Sequence, residues 1–365
     1  MTSAAKTHDT DPYSVMIIAD DGRIDGYLTD ALSADSKLKI VGHYFSGIDA
    51  ISAFRRQHCD VVVLDIGMAN EDPLTTIRRL LRVDRHTKII MASTLSFANV
   101  RQSMMGFEIG AAEFVQTPSD FTGISSFAHF QAEFCRVVRS LAKARRQEGV
   151  RPAPTARPTP SPPTEKIELR PASRERPQIL AIGSSTGGPQ ALMTVLQDLP
   201  GQFALPIVIT QHMPKTFTTV LATTLSKRTG KTAVEGETGM ALKPNHVYIA
   251  PGDHHMTFRG RPGNVEIVLN QDPAINFCRP SVEPMVESIV KIYGAKTLLT
   301  ILTGMGSDGK NGAEMVANAK GTVIAQDFET STVWGMPGVV AKAGLCSKVL
   351  PVTSIGAAIN KLTAG

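Results

Sequence analysis

The chain has 365 residues, 42% of them hydrophobic and 19% charged, with a formal net charge of +5. That balance supports packed cores and excludes a chain disordered throughout, a collagen or a long coiled coil, while the length exceeds what one core organises, so two domains are expected. The basic residues are scattered, with part of the excess in a tail-like stretch from Lys143 to Arg157, and no stripe interleaved with aromatics marks nucleic acid as a partner.

The start, Met1 to Tyr13, lacks the basic-then-apolar layout of a signal peptide, and no apolar run approaches the roughly 18 residues of a membrane span. A cytoplasmic protein without membrane insertion is expected. Its four cysteines, Cys59, Cys135, Cys278 and Cys346, are far apart and suggest neither a disulfide framework nor a zinc site.

From the first ordered segment onward, short apolar runs alternate with helix-length stretches: Val15 to Ala19, Leu38 to Val41, Val61 to Leu64, Ile89 to Ala92, and Phe114 to Val115. This rhythm predicts a doubly wound parallel five-stranded sheet with helices on both faces over residues 13–140. In such sheets functional groups collect beyond the carboxyl ends of strands. Asp20 and Asp21 follow the first strand, Asp65 the third and Ser93 the fourth. Three converging carboxylates repel one another, and a hard cation such as Mg²⁺ relieves that repulsion. Asp65 would then accept a phosphoryl group and Ser93 would bond its new oxygens. The plainer reading of these residues is helix N-caps and solvated loop acids.

Between Arg151 and Pro177 the sequence holds eight prolines and almost no large apolar residue, so residues 141–176 are expected to form a flexible linker. Beyond it the strand rhythm resumes at Ile179 to Ile182, Ile207 to Thr210, Val247 to Ala250, Leu298 to Leu302, Val323 to Ala325, and Val349 to Leu350. Met256 to Phe258 and Val265 to Leu269 flank a turn and read as an antiparallel hairpin, so residues 177–365 are expected to form a three-layer α/β domain with a mixed, mostly parallel sheet.

In this second half Ser185, His212 and Asp308 each follow a strand. A serine hydroxyl becomes a nucleophile when a base takes its proton, and the base needs an acid to fix its tautomer. Gly183-Ser184-Ser185-Thr186-Gly187 matches G-x-S-x-G, a turn that exposes the serine, and a helix starting near Pro189 would aim amides at a developing oxyanion. The same glycine-rich turn can equally cradle a phosphate. Asp253 and Asp327 rival Asp308 as the acid, and His254 with His255 rivals His212, or with Asp253 makes a metal site without recognisable ligand spacing. The glycines around Met305 favour Asp308, because they allow close backbone approach and an amide from Met305.

The blocks IGSSTGGPQAL, ITQHMP, VYIAPGDHH, CRPSVEPM, LTGMGSDGKNGA and AQDFETSTVWGMP, in that order, resemble the CheB family of chemotaxis methylesterases. The resemblance implies a Ser185 nucleophile, His212 base and Asp308 acid, with Met305 and Thr186 supporting the oxyanion site and no cofactor for catalysis. It also implies hydrolysis of glutamyl methyl esters, and deamidation of glutamines, on methyl-accepting chemoreceptors. The first half resembles a response-regulator receiver, which implies a histidine kinase as phosphodonor and control of the esterase through Asp65. Two departures stand out. Thr117 replaces the receiver lysine before Pro118, which weakens the expected phosphoryl signal and keeps open a signalling adaptor that mainly binds partners. Cys278 replaces a histidine, a change expected to affect the substrate groove rather than the triad.

Overall fold

The computed structural model describes residues 11–20, 22–68, 71–118, 124–149 and 167–364, and the chain folds as two compact units, Met1–Ala156 and Arg157–Gly365. In the first, β1 (Tyr13–Ile18), α1 (Gly22–Ser33), β2 (Leu38–Tyr44), α2 (Gly47–Arg56), β3 (Val61–Asp65), α3 (Pro73–Val83), β4 (Lys88–Ser93), α4 (Phe97–Ile109), β5 (Glu113–Gln116) and α5 (Ile124–Gly149) alternate. The five strands lie parallel in the order β2-β1-β3-β4-β5. Residues 61–65 and 88–93 are buried throughout, as strands covered on both faces must be.

Helix α5 runs past the expected start of the linker. Its apolar stripe, Phe130, Phe134, Val137, Val138, Leu141 and Ala142, continues the helical period onto the sheet. The next basic residues are then held in ion pairs: Arg146 grips both carboxylate oxygens of Asp60, at 3.1 and 2.9 Å, and Arg145 pairs with Asp84. These residues are anchored parts of the unit rather than a tail.

At the far side of the linker, residues 167–176 are tied to the second unit. Arg170 N donates to Cys346 O at 2.8 Å, Ser173 Oγ to Ala295 O at 3.0 Å, and the Arg176 guanidinium to Thr363 O. The rest of the proline-rich stretch, residues 150–166, lies outside the described residues.

The second unit contains β6 (Ile179–Ser184), α6 (Gly188–Gln197), β7 (Ile207–Gln211), α7 (Lys215–Thr229), β8 (Thr232–Glu235), β9 (His246–Ile249), β10 (His255–Arg261), β11 (Asn264–Asn270), α8 (Val282–Tyr293), β12 (Thr297–Ile301), α9 (Lys310–Asn318), β13 (Thr322–Gln326), α10 (Met336–Lys342), β14 (Lys348–Leu350) and α11 (Val352–Thr363). Seven strands form one sheet in the order β14-β13-β12-β6-β7-β9-β8, parallel at every pairing. The hairpin, expected to enter this sheet, forms a separate two-stranded sheet, β10-β11, with Ala241 bridged to Glu266 on its β11 side. Its inner residues Met256, Phe258, Val265 and Ile267 pack with Val282, Met285, Val286 and Ile289 of α8 into the main core instead. Edge strand β8 escapes detection in the sequence because Thr232–Glu235 has only Ala233 buried and carries no apolar run.

Strand β6 sits between β7 and β12, and the chain crosses from one side of the sheet to the other there, the placement that opens a crevice at the carboxyl ends of parallel strands. Ile209, in the middle of β7, is fully buried. Ile209→Ala is expected to lower stability by about 2–5 kcal/mol through lost burial and the cavity left behind. A urea titration that leaves the midpoint in place would contradict this.

Candidate active site

Main-chain hydrogen bonds carry the sheet register right up to the reactive residues. Ser185 N donates to Thr303 O at 3.0 Å, and His212 N donates to Ser184 O at 3.1 Å. The residues following β6, β7 and β12 are therefore joined by backbone before any side chain contributes.

The turn after β6 depends on close approach. Gly187 adopts φ 75, and a Cβ there would overlap the Thr332 side chain. Gly304, on the neighbouring loop, would place a Cβ 2.8 Å from Ser185 Cβ and 3.0 Å from Ser185 N, so that loop can touch the serine only as glycine. Helix α6 starts three residues after Ser185, with Gly188 N donating to Ser185 O at 2.7 Å. Its amino end thus faces the serine, where developing negative charge is favoured.

Gln211, which sequence reasoning missed, clamps this turn. Its Oε1 accepts from Ser184 Oγ at 2.6 Å, and its Nε2 donates to Ser185 O at 2.9 Å and to His212 O at 3.2 Å. One buried amide thus ties Ser184 and Ser185 to His212 on the neighbouring strand end. Thr303 does similar work at the next strand, donating from Oγ1 to Thr186 O at 2.9 Å, and Thr186 itself is buried. Met305 follows Gly304, half-buried, on the loop between β12 and α9.

His212 and Asp308 meet directly, Nε2 to Oδ2 at 2.7 Å. Asp308 is 1% exposed, and a buried carboxylate requires donors to replace water. It has them: Ser281 Oγ at 2.7 Å and Asn276 Nδ2 at 3.2 Å reach Oδ1, while Val282 N at 2.7 Å joins His212 on Oδ2. Burial acts to raise the Asp308 carboxyl, but the His212 bond and charge, with Ser281 and Val282, outweigh it and hold the group below the usual carboxylate range. Burial likewise acts to lower His212, yet its bond to Asp308 and then its contact with Cys278 raise it to about 10.

Ser185 is half-buried beside this pair, and its hydroxyl has no hydrogen-bond partner among the described residues. The imidazole nitrogen left to take a proton is Nδ1, and the group recorded against it is Cys278 Sγ at 3.5 Å. The substitution at 278 therefore reaches the histidine itself and is not confined to a groove.

The rival residues are engaged elsewhere. Asp253 is held by Arg279 through Nε and Nη2, at 2.9 and 2.6 Å, and Asp327 accepts from Thr330. His255 is fully buried, its Nδ1 accepting from Ser281 N at 3.2 Å and its Nε2 facing Pro273 O at 3.2 Å. Among the described residues no cluster of three or more His, Cys, Asp or Glu side chains can hold a metal ion. Glu283, also missed, accepts from Gly309 N and Asn311 N, both at 3.0 Å, and from Gly312 N, so α8 pins the loop that carries Asp308. Its partners were hidden because they become neighbours only when α8 packs on α9.

In the first unit Asp65 is fully buried, and its Oδ1 accepts from Gly67 N at 2.7 Å. Asp20 lies beyond the adjacent strand β1, so two oxygen donors of the kind a hard cation takes share this edge, while Asp21 falls outside the described residues. Ser93 Oγ accepts from Asn99 Nδ2 at 2.7 Å. Thr117 is buried, its N donating to Ser93 O at 2.9 Å and its Oγ1 without a partner among the described residues. A hydroxyl stands at the place where the sequence led one to look for a lysine.

The comparisons agree with both halves. Residues 180–359 match the CheB methylesterase family and residues 15–127 the response regulator receiver domain. A protein-glutamate methylesterase/protein-glutamine glutaminase of Azospirillum brasilense is 44% identical, over 96% of this chain and 93% of its own length. One from Rhodospirillum rubrum is 42% identical, over 98% and 97%. The crystal structure of the Thermotoga maritima CheB methylesterase catalytic domain superposes with a TM-score of 0.50 at 44% identity, covering 51% of this chain and 98% of that one.

The His212–Asp308 pair sets two expectations. Asp308→Asn removes the charge that favours the imidazolium, so His212, followed by NMR titration, should fall from about 10 towards or below 6.5; an unmoved titration would refute the pairing. Because the folded value is raised, the stability it contributes is fully present below pH 6.5 and is lost as pH rises through about 10.

Proposed function

Because the chain belongs to the CheB methylesterase family, with a response regulator receiver domain in its first half, we propose that it is a protein-glutamate methylesterase and protein-glutamine glutaminase acting through Ser185, His212 and Asp308. Its substrates on this reading are glutamyl methyl esters and selected glutamines of methyl-accepting chemoreceptors. The observation that carries the mechanism is the buried His212–Asp308 bond of 2.7 Å beside the half-buried Ser185.

Ser185 Oγ attacks the ester carbonyl carbon as its proton passes to His212. The resulting imidazolium is stabilised by Asp308, whose four donors keep it ionised. Negative charge on the carbonyl oxygen is met by the amides of Thr186 and Gly187, because those of Ser185 and Gly188 already bond Thr303 O and Ser185 O, with Met305 in a supporting position. His212 then protonates the leaving methoxide, and the acyl-serine is hydrolysed by water that His212 activates. Ester and amide share the tetrahedral oxyanion, so methanol and ammonia are alternative leaving products of one site.

No helix among the described residues is long and apolar enough to cross a membrane, which fits a chain that reaches its receptor substrates from the cytoplasm. A histidine kinase is the proposed phosphodonor to Asp65. If Mg²⁺ binds there, Asp20, Asp21 and Asp65 hold it, and it neutralises charge at the phosphorylation site. Thr117 offers no cation to pair with a phosphoryl group, so the signal from Asp65 is proposed to be weak.

Ser185→Ala should cut methanol release from methylated receptor membranes at least about a thousandfold, because the remaining site keeps only oxyanion and binding contributions. Equal rates would sink the assignment. The base must be neutral to act, so the kcat/KM of the wild type should keep rising with pH well above 6.5, towards about 10; a plateau complete by neutral pH would contradict the raised His212.

For the receiver, a small phosphodonor should activate the esterase poorly, and Thr117→Lys should increase that activation. Strong activation of the wild type, unchanged by the lysine, would show that signalling bypasses position 117.

A further inference from the structure

Cys278 Sγ lies 3.5 Å from His212 Nδ1, while His212 Nε2 is held by Asp308 Oδ2 at 2.7 Å. The thiol is thus the first member of an ordered thiol, imidazole and carboxylate array, not an isolated cysteine. It is also held in place. Ile275 and Cys278 exchange two backbone bonds, of 3.1 and 2.9 Å, around Asn276 and Phe277 at φ 53 and 64. The following Arg279 is fastened to Asp253 and to the carbonyls of Gln271 and Asp272.

The other three cysteines provide an internal contrast. Cys59, Cys135 and Cys346 are 6%, 4% and 0% exposed. Burial pushes Cys59 and Cys346 up to about 12 and raises Cys135 as well. Cys278 alone among the four combines partial solvent access with an adjoining base.

We infer that Cys278 is a modification site for hydroperoxides and other soft electrophiles, and that its oxidation switches the hydrolase off by occupying His212. The second clause rests on His212 being the base of the proposed reaction. Sulfur passes its proton to Nδ1, leaving a thiolate against an imidazolium that Asp308 holds from the far side. The thiolate attacks one peroxide oxygen: an S–O bond forms, the O–O bond breaks, and sulfur loses two electrons as the peroxide is reduced. The leaving hydroxide takes the Nδ1 proton and departs as water. The resulting sulfenic acid fills the side of the ring to which the Ser185 proton must travel. A thiol reductant reverses the change: one equivalent displaces water to form a mixed disulfide, and a second frees Cys278.

The full chain, treated with hydrogen peroxide and a dione that traps sulfenic acids, or with iodoacetamide alone, is read by peptide mass spectrometry. Cys278 should label at least about tenfold faster than the other three cysteines, and His212→Ala should slow that labelling by a similar factor. Methanol release should fall in step with sulfenic acid formation and return with dithiothreitol. Cys278→Ala should keep its own untreated rate through the same peroxide exposure. Uniform labelling of the four thiols, or a Cys278 rate unmoved by His212→Ala, overturns the site. Equal peroxide inactivation of wild type and Cys278→Ala overturns the switch. The labelling needs no ester, so intact labelling in a chain that releases no methanol would fault the hydrolase reading and leave the thiol assignment standing.

Discussion

The second unit depends on the parallel alignment of β6 between β7 and β12. Parallel strands deliver their carboxyl ends to one edge, so residues distant in sequence emerge side by side there. The hydrogen bonds from Ser185 N to Thr303 O and from His212 N to Ser184 O extend that alignment beyond the strands proper. Glycine at 187 and 304 then lets the loops close to contact distances that any side chain would prevent. Rigidity at the site is therefore a property of the sheet, and the side chains inherit it.

Asp308 shows how a costly group is tolerated at such an edge. An ionised carboxylate out of water is strongly unfavourable unless donors surround it. Here two side chains, one backbone amide and the His212 ring supply them, and two of those donors come from the start of α8. Glu283 on the same helix binds the amides at the start of α9 and fixes the loop from its other end. The acid is thus oriented by a helix that contributes no reactive group, and the same charge holds the proton on His212 to higher pH.

The first unit has the same doubly wound logic with a different outcome. Asp65 and Ser93 sit at neighbouring strand ends around Gly67, whose absent side chain leaves room between them. What differs is the partner across the edge: Thr117 is buried and neutral, so the local charge is acidic without a fixed cation of its own at that position.

Much of this architecture was legible from the order of residues alone. Runs such as Ile179 to Ile182 and Val61 to Leu64 are apolar at every position, which only strands buried on both faces require, and glycine turns after them mark where chemistry belongs. The hairpin was legible as a hairpin, but its placement was not, because alternation along β10 and β11 is satisfied equally by sheet pairing or by packing on α8. The extent of α5 was masked by its basic residues, whose partners Asp60 and Asp84 come from distant loops. The order of residues is enough to set which residue types stand at the strand ends: Ser185, His212, Asp308 and Asp65. Which of them touch depends on strand order across the sheet, and that is set by the folding of the whole unit. It joins His212 to Asp308 rather than to another strand-end acid, leaves Ser185 Oγ without a partner among the described residues, and sets Cys278 against the remaining imidazole nitrogen.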